Sequence, residues 1–138
     1  MPDDLAASNV NRSYSLAATS IAIFTFMLVF FYPRLGSGEV NALLFQVTLI
    51  VMGVATFSFV LAAFHYYGVS IRSAFSDAER AMYGRRGDRL WLLGYTLLYL
   101  APSLILFAVG LATVGGVWLA LWLAYLLFVV RYFPRVQT

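Results

Sequence analysis

The chain has 138 residues, of which 62% are hydrophobic and 11% charged, with a formal net charge of +3. Soluble domains carry roughly 25% charged residues, so the composition excludes an ordinary soluble fold, and the length allows one domain at most. The absence of cysteine excludes disulfides, thiolate metal sites and a cysteine nucleophile.

The chain opens with Asp3 and Asp4 before any basic residue, and the apolar run that follows is long and lacks a small-residue cleavage site. A secretory signal needs a positive start and a short apolar core, so the first span is expected to stay in the mature protein. That span is expected from about Ser15 to Tyr32, about 18 residues, enough to cross the hydrocarbon as a helix. Ser15, Ala18, Ala22 and Thr25 form a small, weakly polar stripe along it, the kind of face against which another helix packs in lipid. Pro33 to Asn41 reads as a tight turn by its proline, two glycines and asparagine.

The second span is expected from about Ala42 to Tyr67, longer than one crossing requires, so it should tilt or project. Gln46, Gly53, Thr56, Val60 and Ala63 share one of its faces, and His65, Tyr66 and Tyr67 close it at an aromatic belt. Between the second and third spans, Ser70 to Arg89 is the one long polar stretch, with five of the nine arginines and three of the six acids. Ser76-Asp77-Ala78-Glu79 reads as a capping box. Ile71, Phe75, Ala78 and Met82 then fall on one face, which predicts a short amphipathic helix on the membrane surface. Gly84 to Asp88 is expected to break that helix, with Asp88 capping the next.

The third span is expected from about Leu90 to Gly110. Gly94, Ala101 and Ala108 recur every seven residues as a close-packing seam, and Pro102 predicts a kink. The fourth, about Ala112 to Val130, carries Gly116, Ala120 and Ala124 as a small-residue ridge, with Trp118, Trp122 and Tyr125 on another face. The short link between these spans requires antiparallel neighbours. Arg131, Tyr132 and Arg135 follow as anchors.

All nine basic residues are arginine. Four spans place Arg12, the five connector arginines, Arg131 and Arg135 on one side and Arg34 alone on the other. That asymmetry predicts cytoplasmic termini in a bacterial plasma (inner) membrane. The fold class expected is therefore all-α and polytopic: four transmembrane helices in two hairpins, joined by an amphipathic cytoplasmic connector helix.

No charged residue lies deep in any span, whereas ion-coupled transporters place a carboxylate there. The small multidrug transporters, similar in size, depend on such a glutamate, and this chain has none. Arg72-x-x-Phe75-Ser76-Asp77 resembles the Arg-x-x-x-Phe-Ser-Asp signature of a family of non-canonical potassium channels. It is one residue short, has Ala78 for that family's glycine, and leads into AERAMYGRRGD where the family has an apolar span. Those departures leave no assignment on it.

His65, the one histidine, has no second strong ligand at i+3 or i+4, and Ser70 and Asp77, though close in sequence, lie at opposite ends of a turn-rich stretch, so no catalytic, cofactor or metal residue is expected. Arg72, Arg80, Arg85, Arg86 and Arg89 are candidates for anionic lipid headgroups or an acidic partner, or they serve topology alone. Tyr95, Tyr99, Pro102 and Ser103, with Gln46 and His65, are candidates for a pocket or pore face. Ala18, Ala22, Gly53, Gly94, Ala101, Gly116, Ala120 and Ala124 are the helix-packing candidates.

The function expected is a non-catalytic subunit or interaction protein of a membrane assembly. The alternatives are a homo-oligomeric channel or permeabilising effector, and a lipid-handling intramembrane enzyme. Partners expected are the bilayer and other membrane helices, from copies of the chain or another subunit, and no nucleic acid.

Overall fold

The structure, a computed structural model, describes residues 2–71 and 75–132. These fold as α1 (Pro2–Phe31), a 3-10 turn (Tyr32–Arg34), α2 (Ala42–Ser70), α3 (Asp77–Ala108) and α4 (Ala112–Tyr132). All four α-helices are long and apolar enough to cross a membrane. Arg72 and Arg135 lie outside the described residues.

The helix ends follow local chemistry. Asn41 caps α2, its side chain accepting from the Leu44 N–H at 3.0 Å, while its own N–H donates to the Ala108 carbonyl at 2.8 Å. Ser76 and Glu79 form the reciprocal capping box of α3. At the other end of α3, Gly110 adopts φ +81, and the N–H groups of Gly110 and Leu111 donate to Phe107 and Leu106. This Schellman arrangement satisfies the orphan carbonyls and turns the chain into α4. Replacing the Ser76 hydroxyl (Ser76→Ala) removes one side of the box. Hydrogen exchange should then quicken about five-fold in the first turn of α3 and stay unchanged near Leu98.

One register organises the core. On α2, Phe45, Met52, Phe59 and Tyr66 recur every seven residues and are all buried. On α3, Gly87, Gly94, Ala101 and Ala108 recur at the same interval and are buried too. The helices run antiparallel, so large meets small: Tyr66 lies on Gly87 and Phe59 on Gly94, while Met52, Phe45, Ala101 and Ala108 join one core cluster. A seven-residue repeat on both partners is the pattern of a slightly inclined, knobs-into-holes pair. A second set on α2, Thr48, Ala55 and Ala62, is buried as well, and α1 has Ser13, Ser20 and Met27 buried at the same spacing. The hydroxyls of Ser13 and Ser20 return to the Asn9 and Leu16 carbonyls at 2.8 Å, so they enter the interface with their hydrogen bonds made.

Several expectations need correction. The connector is not a separate amphipathic helix: residues 77–89 are the first turns of α3, which runs unbroken through Gly84–Asp88. The glycines there serve packing. A Cβ on Gly87 would stand 2.9 Å from the Tyr66 ring, and Gly84 faces Val69. Glycine costs about 1 kcal/mol in a helix interior, and the close approach of α2 offsets it. Nor does Asp88 cap a helix, since it sits within one. α1 begins well before Ser15, because Ala6 and Ser13 extend its buried face.

α1 packs on α2 and α4 on α3, and the two pairs are joined through α2 and α3. The most extensive interface joins α2 to α3. The most deeply buried side chains come from α1, α2 and α3, and α4 packs on α3.

Candidate functional site

The start of α1, the end of α2 and the start of α3 meet at one end of the core. Here the heptad register brings polar side chains from three helices together. The Tyr66 hydroxyl donates to Asp88 Oδ1 at 2.7 Å. Its ring is buried on Gly87, the residue before Asp88, so the glycine both admits the ring and fixes the height of the carboxylate. The Arg12 guanidinium lies 5.8 Å from the centroid of Trp91, within cation–π range. Asn9, Arg12, Tyr66, Asp88 and Trp91 line a cleft of about 220 Å³. Arg12 and Asp88 are not ion-paired across it: the one ion pair drawn among the described residues joins Arg80 to Asp77.

Sequence reasoning missed this site. It assigned Arg12 to topology, Tyr66 to the interface and Asp88 to a cap. The available signal was the register itself: Gly87 lies seven residues before Gly94, and Tyr66 seven after Phe59.

The connector arginines divide. Arg80 donates from Nε to the Val69 carbonyl at 2.9 Å and lies 3.7 Å from Asp77, tying the start of α3 to the end of α2. Arg85, Arg86 and Arg89 are exposed.

The third-span face separates as well. Tyr95 and Tyr99 join an aromatic ladder that runs from Trp91 (4.3 Å between centroids) through Tyr95 and Tyr99 (5.6 Å) to Tyr125 on α4 (5.4 Å). Tyr99, Trp118, Trp122 and Tyr125 border a cleft of about 210 Å³, and the Trp122 indole N–H donates to the Thr96 carbonyl at 2.8 Å. Ser103 is buried and donates to the Gly115 carbonyl at 3.0 Å, a helix-packing bond. Pro102 faces a different, apolar cleft of about 320 Å³ with Met27, Met52 and Ile105. The four residues thus line no common surface.

Gln46 is exposed, and Gly53 and Thr56 line a groove with Thr25 of α1. His65 sits with Nδ1 2.8 Å from the Leu61 carbonyl and its ring 5.9 Å from Tyr83. It does not join the Tyr66–Asp88 cleft. Among the described residues, no three His, Cys, Asp or Glu side chains are grouped to hold a metal.

Of the packing candidates, Gly94 and Ala101 are buried in the α2–α3 seam. Ala18, Ala22, Ala120 and Ala124 are exposed, and a Cβ on Gly53 or Gly116 would meet nothing within 4 Å. α1 packs through Ala6, Ser13, Ala17 and Ser20 instead. Compared with known proteins, the chain matches no family model, no curated protein and no solved structure.

Proposed function

We propose that the chain is a small integral membrane protein that serves as a non-catalytic subunit or interaction protein, docking helices of a larger membrane assembly. The observation that carries this reading is the small-residue surface left over after the molecule has packed itself. Ala18 and Ala22 of α1 and Ala120 and Ala124 of α4 are exposed, with Gly116 half-buried above the latter pair. In lipid a bulky side chain loses nothing by facing tails, whereas a small one lets a second backbone approach. Exposed Phe57, Leu127 and Phe128 around these faces suit acyl chains.

The placement in the bilayer is part of the same proposal. Helix directions alternate, so Arg12, Arg80, Arg85, Arg86, Arg89 and Arg131 gather at one end and Arg34 at the other. By the positive-inside bias, the end with the α1 start and the α4 end is cytoplasmic, in a bacterial inner membrane.

Native mass spectrometry of the protein gently extracted from its own membranes tests the proposal. A stoichiometric complex with another chain is expected. Ala120→Leu and Ala124→Leu should dissolve that complex without lowering the melting temperature of the isolated chain, because both positions are exposed in it. A bare monomer from native membranes would overturn the reading. A closed homo-oligomer would favour the channel alternative, for which the Thr25–Gly53–Thr56 groove is the weakly polar candidate surface.

A further inference from the structure

We propose that the cleft lined by Asn9, Arg12, Tyr66, Asp88 and Trp91 binds the headgroup of a zwitterionic phospholipid with a primary ammonium, of the phosphatidylethanolamine class. The inference rests on the bilayer placement above but not on the subunit reading. It begins with a pair of charges held apart. Arg12 on α1 and Asp88 on α3 border one cleft, yet no ion pair joins them. The Asp88 carboxylate is pinned by the Tyr66 hydroxyl through one oxygen, and its other oxygen is left to accept. The Arg12 guanidinium rests by the Trp91 ring. Opposite charges that border one cleft without pairing complement a ligand that carries both signs.

The chemistry of each group selects the ligand's parts. A guanidinium fork matches phosphate oxygens. A half-buried carboxylate favours a cation that can donate hydrogen bonds, which a primary ammonium does and a quaternary one cannot. An anionic phospholipid would satisfy Arg12 but leave Asp88 facing hydroxyls or a second negative charge. The cleft volume is about 220 Å³, room for a small polar group and not for a whole lipid.

Depth agrees. Asp88 and Ala108 are 20 residues apart on the continuous α3, so they are separated by about 30 Å at 1.5 Å per residue, the thickness of the hydrocarbon core. With Ala108 beside the Asn41 turn at the opposite end, Asp88 falls at the headgroup level. The apolar cleft at Met52 and Pro102 lies nearer mid-bilayer, below this site.

The test uses the full chain in detergent micelles with an equimolar mixture of phosphatidylethanolamine, phosphatidylcholine and phosphatidylglycerol of identical acyl chains, read by native mass spectrometry. The wild type is expected to retain phosphatidylethanolamine about ten-fold over the other two, the scale of a hydrogen bond to a charged group. Asp88→Asn keeps an acceptor for Tyr66 and should abolish that preference while phosphatidylglycerol is retained at least as well. Arg12→Gln should lower retention of all three. Equal retention by the wild type, or an unchanged preference in Asp88→Asn, would overturn the proposal, and the wild-type result stands even if a variant fails to fold. Free phosphoethanolamine at matched concentration is expected to displace nothing. Displacement would overturn the lipid as the source and point to a soluble zwitterion. Retention of the chain in alkaline-washed membranes checks the bilayer placement separately, so its failure is distinguishable from failure of the headgroup site.

Discussion

Gly94→Ala is expected to lower the melting temperature of the detergent-solubilised protein, although alanine is the better helix former. Propensity alone favours alanine by about 1 kcal/mol in a helix interior. Against that, the added Cβ would stand 2.7 Å from Cε1 and 2.9 Å from Cδ1 of Phe59. Cheap relief would require the ring to move, and it has nowhere to go. Phe59 is fully buried and set edge-on to Tyr95, at 5.7 Å and 90°. Overpacking a core of this kind costs about 1–3 kcal/mol, so the contact outweighs the propensity and the net sign is destabilising. Gly53→Ala supplies the contrast on α2, where a Cβ meets nothing within 4 Å. That variant should be neutral or slightly stabilised. Were Gly94→Ala as stable as Gly53→Ala, the α2–α3 seam would not be close-packed as drawn. Gly94→Leu, with four times the added carbon, should prevent α2 and α3 from seating at all.

The same seam shows how far the sequence could be read. Long apolar runs between polar or turn-forming stretches sufficed to place four helices, because hydropathy acts over many residues and tolerates local error. The recurrence of Gly94, Ala101 and Ala108 was visible too. Its partner set, Phe45, Met52, Phe59 and Tyr66, has the same period, but large apolar residues at heptad spacing are common in any apolar helix. Only the pairing of the two registers gives them meaning. Gly84–Asp88 misled for the opposite reason. Glycine and aspartate in a polar run have the chemistry of a break, and tertiary contact with Tyr66 and Val69 overrode that local preference.

The small-residue stripes divided in the same way. Ala18 and Ala22 match the composition of a packing face as well as Ala17 and Ser20 do, one and two residues away. The choice between the faces is made by α2, which sequence periodicity cannot locate. The cleft at Arg12 and Asp88 was illegible for a further reason: its members come from three helices and each has an ordinary role by itself.

Phe59→Ala is expected to be the most damaging single truncation in the chain, with a loss of about 3 kcal/mol or more. Removing a buried phenylalanine generally costs about 3–5 kcal/mol, and the amount depends on how well the site can collapse. Here collapse is poor, because the facing residue is Gly94, which has no side chain to lean inward. The bilayer placement proposed above pushes the value toward the low end. Between helices in lipid there is no aqueous transfer term, so what is lost is dispersion contact with the opposing backbone and with Tyr95. Phe57→Ala, two residues away and 70% exposed, should cost little by the same argument. Unfolding by sodium dodecyl sulfate in mixed micelles, followed by helical circular dichroism, would measure both. The decisive comparison is the double variant Phe59→Ala with Gly94→Ala. If the two residues meet as described, the methyl that clashes in the single variant now enters vacated space, and the double variant should be more stable than the sum of the singles by about 1 kcal/mol or more. Strict additivity would mean that Phe59 and Gly94 do not touch, and the register that places Tyr66 over Gly87, and so the carboxylate of Asp88 beside it, would lose its support.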